Sequence, residues 1–120
     1  MRVANPIAKI GEDLACKYLQ KKGYRIIERN FRKGYGELDI VAIEKESLVF
    51  VEVKTRIGNL YGTPLESITP WKLRSITKTA VFYKTMNKNL PDSLRIDAVS
   101  VKLYHDKSLE SIELVKNISQ

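Results

Sequence analysis

The stretch that decides the fold is GELDIVAIEKESLVFVEVKTR, residues 36–56. It holds two largely apolar runs, Leu38–Ile43 and Leu48–Val53, on either side of the polar Glu44-Lys45-Glu46-Ser47. That arrangement predicts a β-hairpin. If the tip closes symmetrically about Lys45-Glu46, Ile43 faces Leu48, Val41 faces Phe50, Asp39 faces Glu52 and Glu37 faces Lys54. Directly opposed residues share a face of a sheet, and alternate residues stay on it. One face then reads Leu38, Ile40, Ala42, Val49, Val51 and Val53, wholly apolar and suited to a core. The other is apolar near the turn (Val41, Ile43, Leu48, Phe50) and becomes charged toward the open end, with Glu37, Asp39, Glu52 and Lys54.

Upstream, Asn5-Pro6 predicts a helix start, a capping residue followed by proline at the first helical position. Ile7, Ala8, Gly11, Leu14, Ala15, Tyr18 and Leu19 form one apolar stripe at helical spacing, and Lys22-Gly23 ends it. On that wheel Asp13 points into water and Glu12 sits at the rim of the stripe. Tyr24–Phe31 reads as a strand with arginines on its exposed positions, and Lys33-Gly34-Tyr35-Gly36 as a turn. Downstream, Gly58–Pro64 reads as a loop, and Thr69-Pro70 starts a second helix whose inner stripe is Leu73, Ile76, Thr77, Ala80 and Tyr83. Arg95–Leu103 and Ser108–Val115 complete the pattern as strands. The order of helix, three strands, helix and one or two strands predicts an α/β domain with a mixed sheet. At 120 residues the chain is expected to be a single domain.

Composition removes several function classes. No uninterrupted apolar run exceeds four residues, far short of a membrane span or a secretory leader. One cysteine, Cys16, cannot make an internal disulfide, and one histidine, His105, leaves no Cys/His zinc site. Both are expected to be structural or surface positions. The expectation is a soluble cytoplasmic protein with no membrane partner. Its net charge of +7 is uneven. Residues 17–33 hold seven basic side chains and one acid, residues 72–88 hold five and none, and the remainder is net acidic. Two positive surfaces beside an acidic remainder suit a polyanion that must also meet carboxylates, although charged helix faces also arise from solvation alone. Trp71, in the first turn of the second helix, is expected to pack, with a base-stacking platform as the alternative.

The chemistry concentrates at the open end of the hairpin. Two carboxylates opposed on a half-buried strand pair repel each other and are costly to desolvate. A divalent cation, Mg²⁺ or Mn²⁺, relieves both costs, since Mg²⁺ takes a few carboxylate oxygens together with waters and substrate phosphates. Lys54, two residues beyond Glu52 and roughly 6–7 Å along the strand, can orient a water or stabilise charge on a phosphate oxygen. The competing reading is an interstrand ion pair of Lys54 with Asp39 or Glu37.

Asp39 followed after twelve residues by Glu52-Val53-Lys54 resembles the Asp…(Glu/Asp)-x-Lys signature of restriction-endonuclease-like nucleases. Gly11-Glu12, Arg29-Asn30, Gly36–Asp39, Leu48–Arg56 and Arg95-Ile96-Asp97 are similar, more closely, to the bacterial YraN-type family of predicted endonucleases, distantly similar to archaeal Holliday-junction resolvases. Leu38 stands where the broader signature has proline. The resemblance implies a core of helix, three strands, helix and strand, with helices flanking a mixed central sheet. It implies a metal-dependent endonuclease acting on DNA, rather than RNA, of branched or otherwise structured form, in recombination or repair. Asp39 and Glu52 match its metal ligands, Lys54 its catalytic lysine, and Glu12 the helix-borne acid that completes the metal site. Arg56, Lys72, Arg74, Arg95 and Arg32 are candidate nucleic-acid contacts. Glu37 either binds a second metal or pairs with Lys54, and the ion pair is favoured. Asp97 braces either Arg95 or the site. Resolvase-like action would need two sites, hence a homodimer. The alternative is a non-catalytic nucleic-acid-binding accessory protein with the same fold.

Overall fold

A computed structural model describes residues 5–33, 36–58 and 67–119. The expected turn at Gly34-Tyr35 and most of the Gly58–Pro64 loop lie outside these residues. Helix α1 (Pro6–Lys21) begins where Asn5 Oδ1 accepts the backbone amides of Ile7 and Ala8 at 3.0 and 3.3 Å. Strands β1 (Arg25–Lys33), β2 (Gly36–Glu44) and β3 (Ser47–Ile57) follow as an antiparallel meander. Helix α2 (Pro70–Met86), with Thr69 Oγ1 accepting the Lys72 amide at 3.1 Å, carries the chain over to β4 (Ser93–Leu103), parallel to β3. Strand β5 (Leu109–Val115) closes the edge antiparallel to β4. The result is a mixed five-stranded sheet in chain order with one helix on each face.

The hairpin register is the one that the turn predicts: Ile43 pairs with Leu48, Val41 with Phe50 and Ile40 with Val51. Val49, Val51, Ile40, Ala42, Val99 and Val101 bury against Ala15, Cys16 and Leu19 of α1. Val41, Leu48, Phe50 and Ile96 bury against Ile76, Ala80 and Tyr83 of α2. Tyr83 anchors that second core, with Phe31 and Phe50 edge-on to its ring at 4.9 and 5.9 Å and its hydroxyl donating to Glu28 at 2.8 Å.

Two expected face assignments are corrected. Leu38 packs with Phe31 on the α2 side, not beside Ile40 on the α1 side. The cause lies in the neighbouring strand. Asn30 is left-handed (φ 55°), so Arg29 opposite Ile40 and Phe31 opposite Leu38 project to opposite faces. Asparagine tolerates that conformation better than most residues. On α2, Thr79 rather than Thr77 lies in the buried stripe; Thr77 is exposed and its hydroxyl donates to the Leu73 carbonyl at 2.8 Å. No helix among the described residues is long and apolar enough to cross a membrane.

Candidate active site

Four elements meet at the open end of the hairpin. Glu12 of α1, Glu37 and Asp39 of β2, Glu52 and Lys54 of β3 and Lys72 of α2 line one cavity of about 200 Å³. Its origin is a parting of strands. The β2–β3 ladder ends at Ile40 and Val51, although β3 runs on to Ile57. Past that point the Val53 amide donates to Asp39 Oδ2 at 2.8 Å. A side-chain carboxylate thus satisfies an amide that a continued ladder would have paired with backbone.

Glu52 is the most constrained of the acids. It is only 6% exposed, and its Oε2 has no hydrogen-bond partner among the described residues. The Lys72 ammonium lies 3.5 Å away, an ion-pair contact only. Burial first, then the neighbouring Asp39 carboxyl, pushes Glu52 well above the usual carboxylate range, while Lys72 and Lys54 pull it back. Glu12 is 7% exposed, deeper than a rim position, and burial followed by the Asp39 charge also raises it. Its delivery depends on Gly11, where a Cβ would overlap the Thr55 hydroxyl of β3. Helix α1 therefore lies directly on the strand that carries Glu52 and Lys54.

The sequence did not single out Arg29 as a site residue. Its Nη2 donates to Asp13 Oδ1 at 2.8 Å and lies 3.6 Å from Glu12 Oε1, fastening α1 to β1. Asp13 is accordingly half-buried and ion-paired rather than pointing into water. Two irregularities of β1, a bulge between Ile26 and Glu28 and the left-handed Asn30, put Arg29 on the α1 face while Glu28 and Phe31 face α2.

Other expected residues fall elsewhere. Glu37 pairs with Arg32, its cross-strand neighbour, at 3.0 Å instead of with Lys54, so the Arg32 guanidinium is shared with an acid. Arg95 is withdrawn from the nucleic-acid set. Its Nε and Nη2 donate to Asp97 at 2.9 and 3.0 Å, and Nη2 also donates to Glu44 at 2.8 Å. Asp97, 0% exposed, further accepts from the Tyr24 hydroxyl at 2.7 Å and the Asn117 amide at 2.9 Å. Of the two roles open to Asp97, bracing Arg95 is the observed one, at the turn end of the sheet. Arg56 is half-buried in β3, two residues past Lys54. Trp71 does not pack: it is 73% exposed, with the Arg74 guanidinium 4.5 Å from its ring centroid. Cys16 is buried against the sheet, which raises its thiol pKa, and the His105 ring rests against Gly58.

The residues fit a divalent cation in part. An enclosed carboxylate oxygen without a hydrogen bond, beside a second carboxylate, is a donor set that a hard cation would complete. Among the described residues, however, no three His, Cys, Asp or Glu side chains are grouped to hold one ion. Glu12 shares the cavity without forming a preassembled third ligand.

Fold and cavity together define a mixed α/β protein with an acidic, lysine-flanked pocket at a strand gap. The chain belongs to the uncharacterised protein family UPF0102, whose family model matches residues 11–101. This is the family to which the YraN-type resemblance points. Its relatives include UPF0102 proteins of Syntrophomonas wolfei, 44% identical over 82% of this chain and 85% of that one, and of Clostridium botulinum, 44% identical over 95% and 94%. A third, from Thermotoga petrophila, is 50% identical over 78% of this chain and 83% of its own.

Proposed function

We propose that this protein is a metal-dependent endonuclease of restriction-endonuclease-like fold, distantly akin to archaeal Holliday-junction resolvases. Its substrate in this reading is DNA of branched or structured form, cut in cytoplasmic recombination or repair. The observation that carries the reading is Glu52 Oε2, buried without a hydrogen bond beside Asp39 in a cavity that also presents two lysines. Asp39 and Glu52 would hold Mg²⁺ or Mn²⁺, with Glu12 positioned to support the bound ion's waters. When bound, the cation supplies charge to a phosphate oxygen and lowers the pKa of a water. Val53, by donating to Asp39 Oδ2, fixes that carboxylate's orientation. Lys54 holds positive charge where an attacking water or a developing phosphorane oxygen would sit. Lys72 offsets part of the cost of burying Glu52 in the free protein and would turn to a phosphate once another cation takes that role. Arg74 and Arg56 extend the positive surface for backbone contacts, which position a duplex without reading its sequence.

Cleavage of duplex, flapped and four-way-junction DNA with Mg²⁺, Mn²⁺ or EDTA tests this. Metal-dependent nicking is expected, lost in Asp39→Asn and reduced about 10²–10³-fold in Lys54→Ala. Nicking that survives Asp39→Asn removes the pocket from the mechanism. The second reading, an accessory protein that binds nucleic acid without cutting it, is favoured by the Lys72–Glu52 contact, which gives the buried acid a cationic neighbour without a metal. Salt-sensitive binding with no cleavage of any substrate would establish that role instead.

A further inference from the structure

We propose that Trp71, held by Arg74, is a stacking platform for an unpaired base of the nucleic-acid strand whose backbone enters the Asp39–Glu52 cavity. The inference rests on the nucleic-acid reading above and narrows the substrate to one with a single-stranded or extruded nucleotide next to the site.

An indole at the second position of a helix would ordinarily turn inward, but the inner stripe of α2 runs through Ile76, Thr79, Ala80 and Tyr83. Trp71 is left on the adjoining stripe with Arg74 and Lys78, three and seven residues on. The Arg74 guanidinium covers one face of the ring, yet the residue stays 73% exposed. Leaving that much aromatic surface in water forgoes the stabilisation that burial of a large ring gives, and here the exposed ring is paired with a guanidinium beside a recess instead of standing alone. Trp71, Arg74, Ser75 and Lys78 border a shallow recess of about 230 Å³. Along the helix itself, residues 72–88 carry five basic side chains and no acid. The next residue, Lys72, reaches the catalytic cavity and touches Glu52. Stacking surface, cation and phosphate-facing lysine therefore lie within one helical turn. This is the combination that binds single strands, because every base offers a π-face whereas a closed duplex hides it.

Trp71 is the only tryptophan in the chain, so its fluorescence reports on this position alone. The full-length protein in EDTA is titrated with a short oligothymidylate and with a blunt duplex of equal length. The oligothymidylate is expected to quench the emission strongly and the duplex weakly. Trp71→Ala should weaken single-strand binding about tenfold and Trp71→Phe should restore most of it, with circular dichroism unchanged because the side chain is 73% exposed. Asp39→Asn should keep the quench while losing cleavage. Equal quenching by the blunt duplex, or single-strand binding without quenching, overturns the platform. Absence of quenching by any nucleic acid does so too, and assigns the exposed Trp–Arg pair to a protein contact. Cleavage of flapped DNA by Trp71→Ala at the wild-type rate and affinity sinks the platform and spares the nuclease. Quenching without wild-type cleavage sinks the nuclease and spares the platform.

Discussion

An enclosed carboxylate oxygen with no hydrogen bond is a liability unless positive charge fully offsets its burial, and the one ammonium 3.5 Å from Glu52 Oε2 offsets it only in part. Replacing that acid by its amide should therefore stabilise the metal-free protein at neutral pH by about 1 kcal/mol, read by urea denaturation, even as it removes activity. Added Mn²⁺ should raise the melting temperature of the wild type and leave Glu52→Gln unmoved; equal shifts in both would place the cation elsewhere. Glu44 is the opposite case. Its hydrogen bond from Arg95 holds it below the ordinary value of 4.5, so the folded state releases its proton more readily than the unfolded chain does. That contribution is complete above 4.5 and is lost as the pH falls through the depressed value. In an acid titration followed by circular dichroism, Glu44→Gln should show a shallower loss of stability over that window than the wild type.

At the scale of elements, the seating of α1 on β3 depends on one missing methyl. Gly11→Ala would drive the helix off Thr55, costing about 1–3 kcal/mol and moving Glu12, so cleavage should fall further than the loss of folded protein explains. At the other end of the sheet, Arg95 of β4 reaches Glu44 of β2 and is braced by Asp97 of its own strand. Arg95→Ala strands the buried Asp97 and should cost about 3–5 kcal/mol in denaturant melts, while the affinity of the folded fraction for DNA stays unchanged. Much of this scale was legible in advance. Asn5-Pro6 and Thr69-Pro70 state both helix starts, and a four-residue polar tip between alternating runs sets the hairpin register. Strict alternation puts Leu38 beside Ile40, whereas Leu38 turns to the α2 side opposite Phe31, next to the left-handed Asn30 of the neighbouring strand, which hydrophobic alternation does not reveal. Thr77 and Thr79 are chemically equal on a wheel; only the close approach of Gly36 to Ser75 and Thr79 selects the one that is buried.

For the whole molecule, a net charge of +7 gathered partly along α2 predicts nucleic-acid affinity that falls steeply with salt. Lys72→Ala and Arg74→Ala should each lower the slope of log affinity against log salt by about one, whereas Arg95→Ala should leave it alone. The site itself was only half readable. Opposed acids and Glu-x-Lys can be found along one hairpin, but Arg29, Gly11 and Lys72 act across elements distant in the chain, and Arg95 looks the same on paper whether it faces solvent or two carboxylates.

The left-handed turn of the backbone at Asn30 has a reach out of proportion to its size. On one side of it Arg29 faces the first helix and on the other Phe31 faces the second, so a single strand serves both layers at the height of the acids. A β-branched side chain there would penalise that torsion and would also remove the hydrogen bond that the Asn30 side chain makes to Glu12. Glycine, by contrast, would keep the torsion and lose only that hydrogen bond, so the two substitutions separate the backbone's part from the amide's.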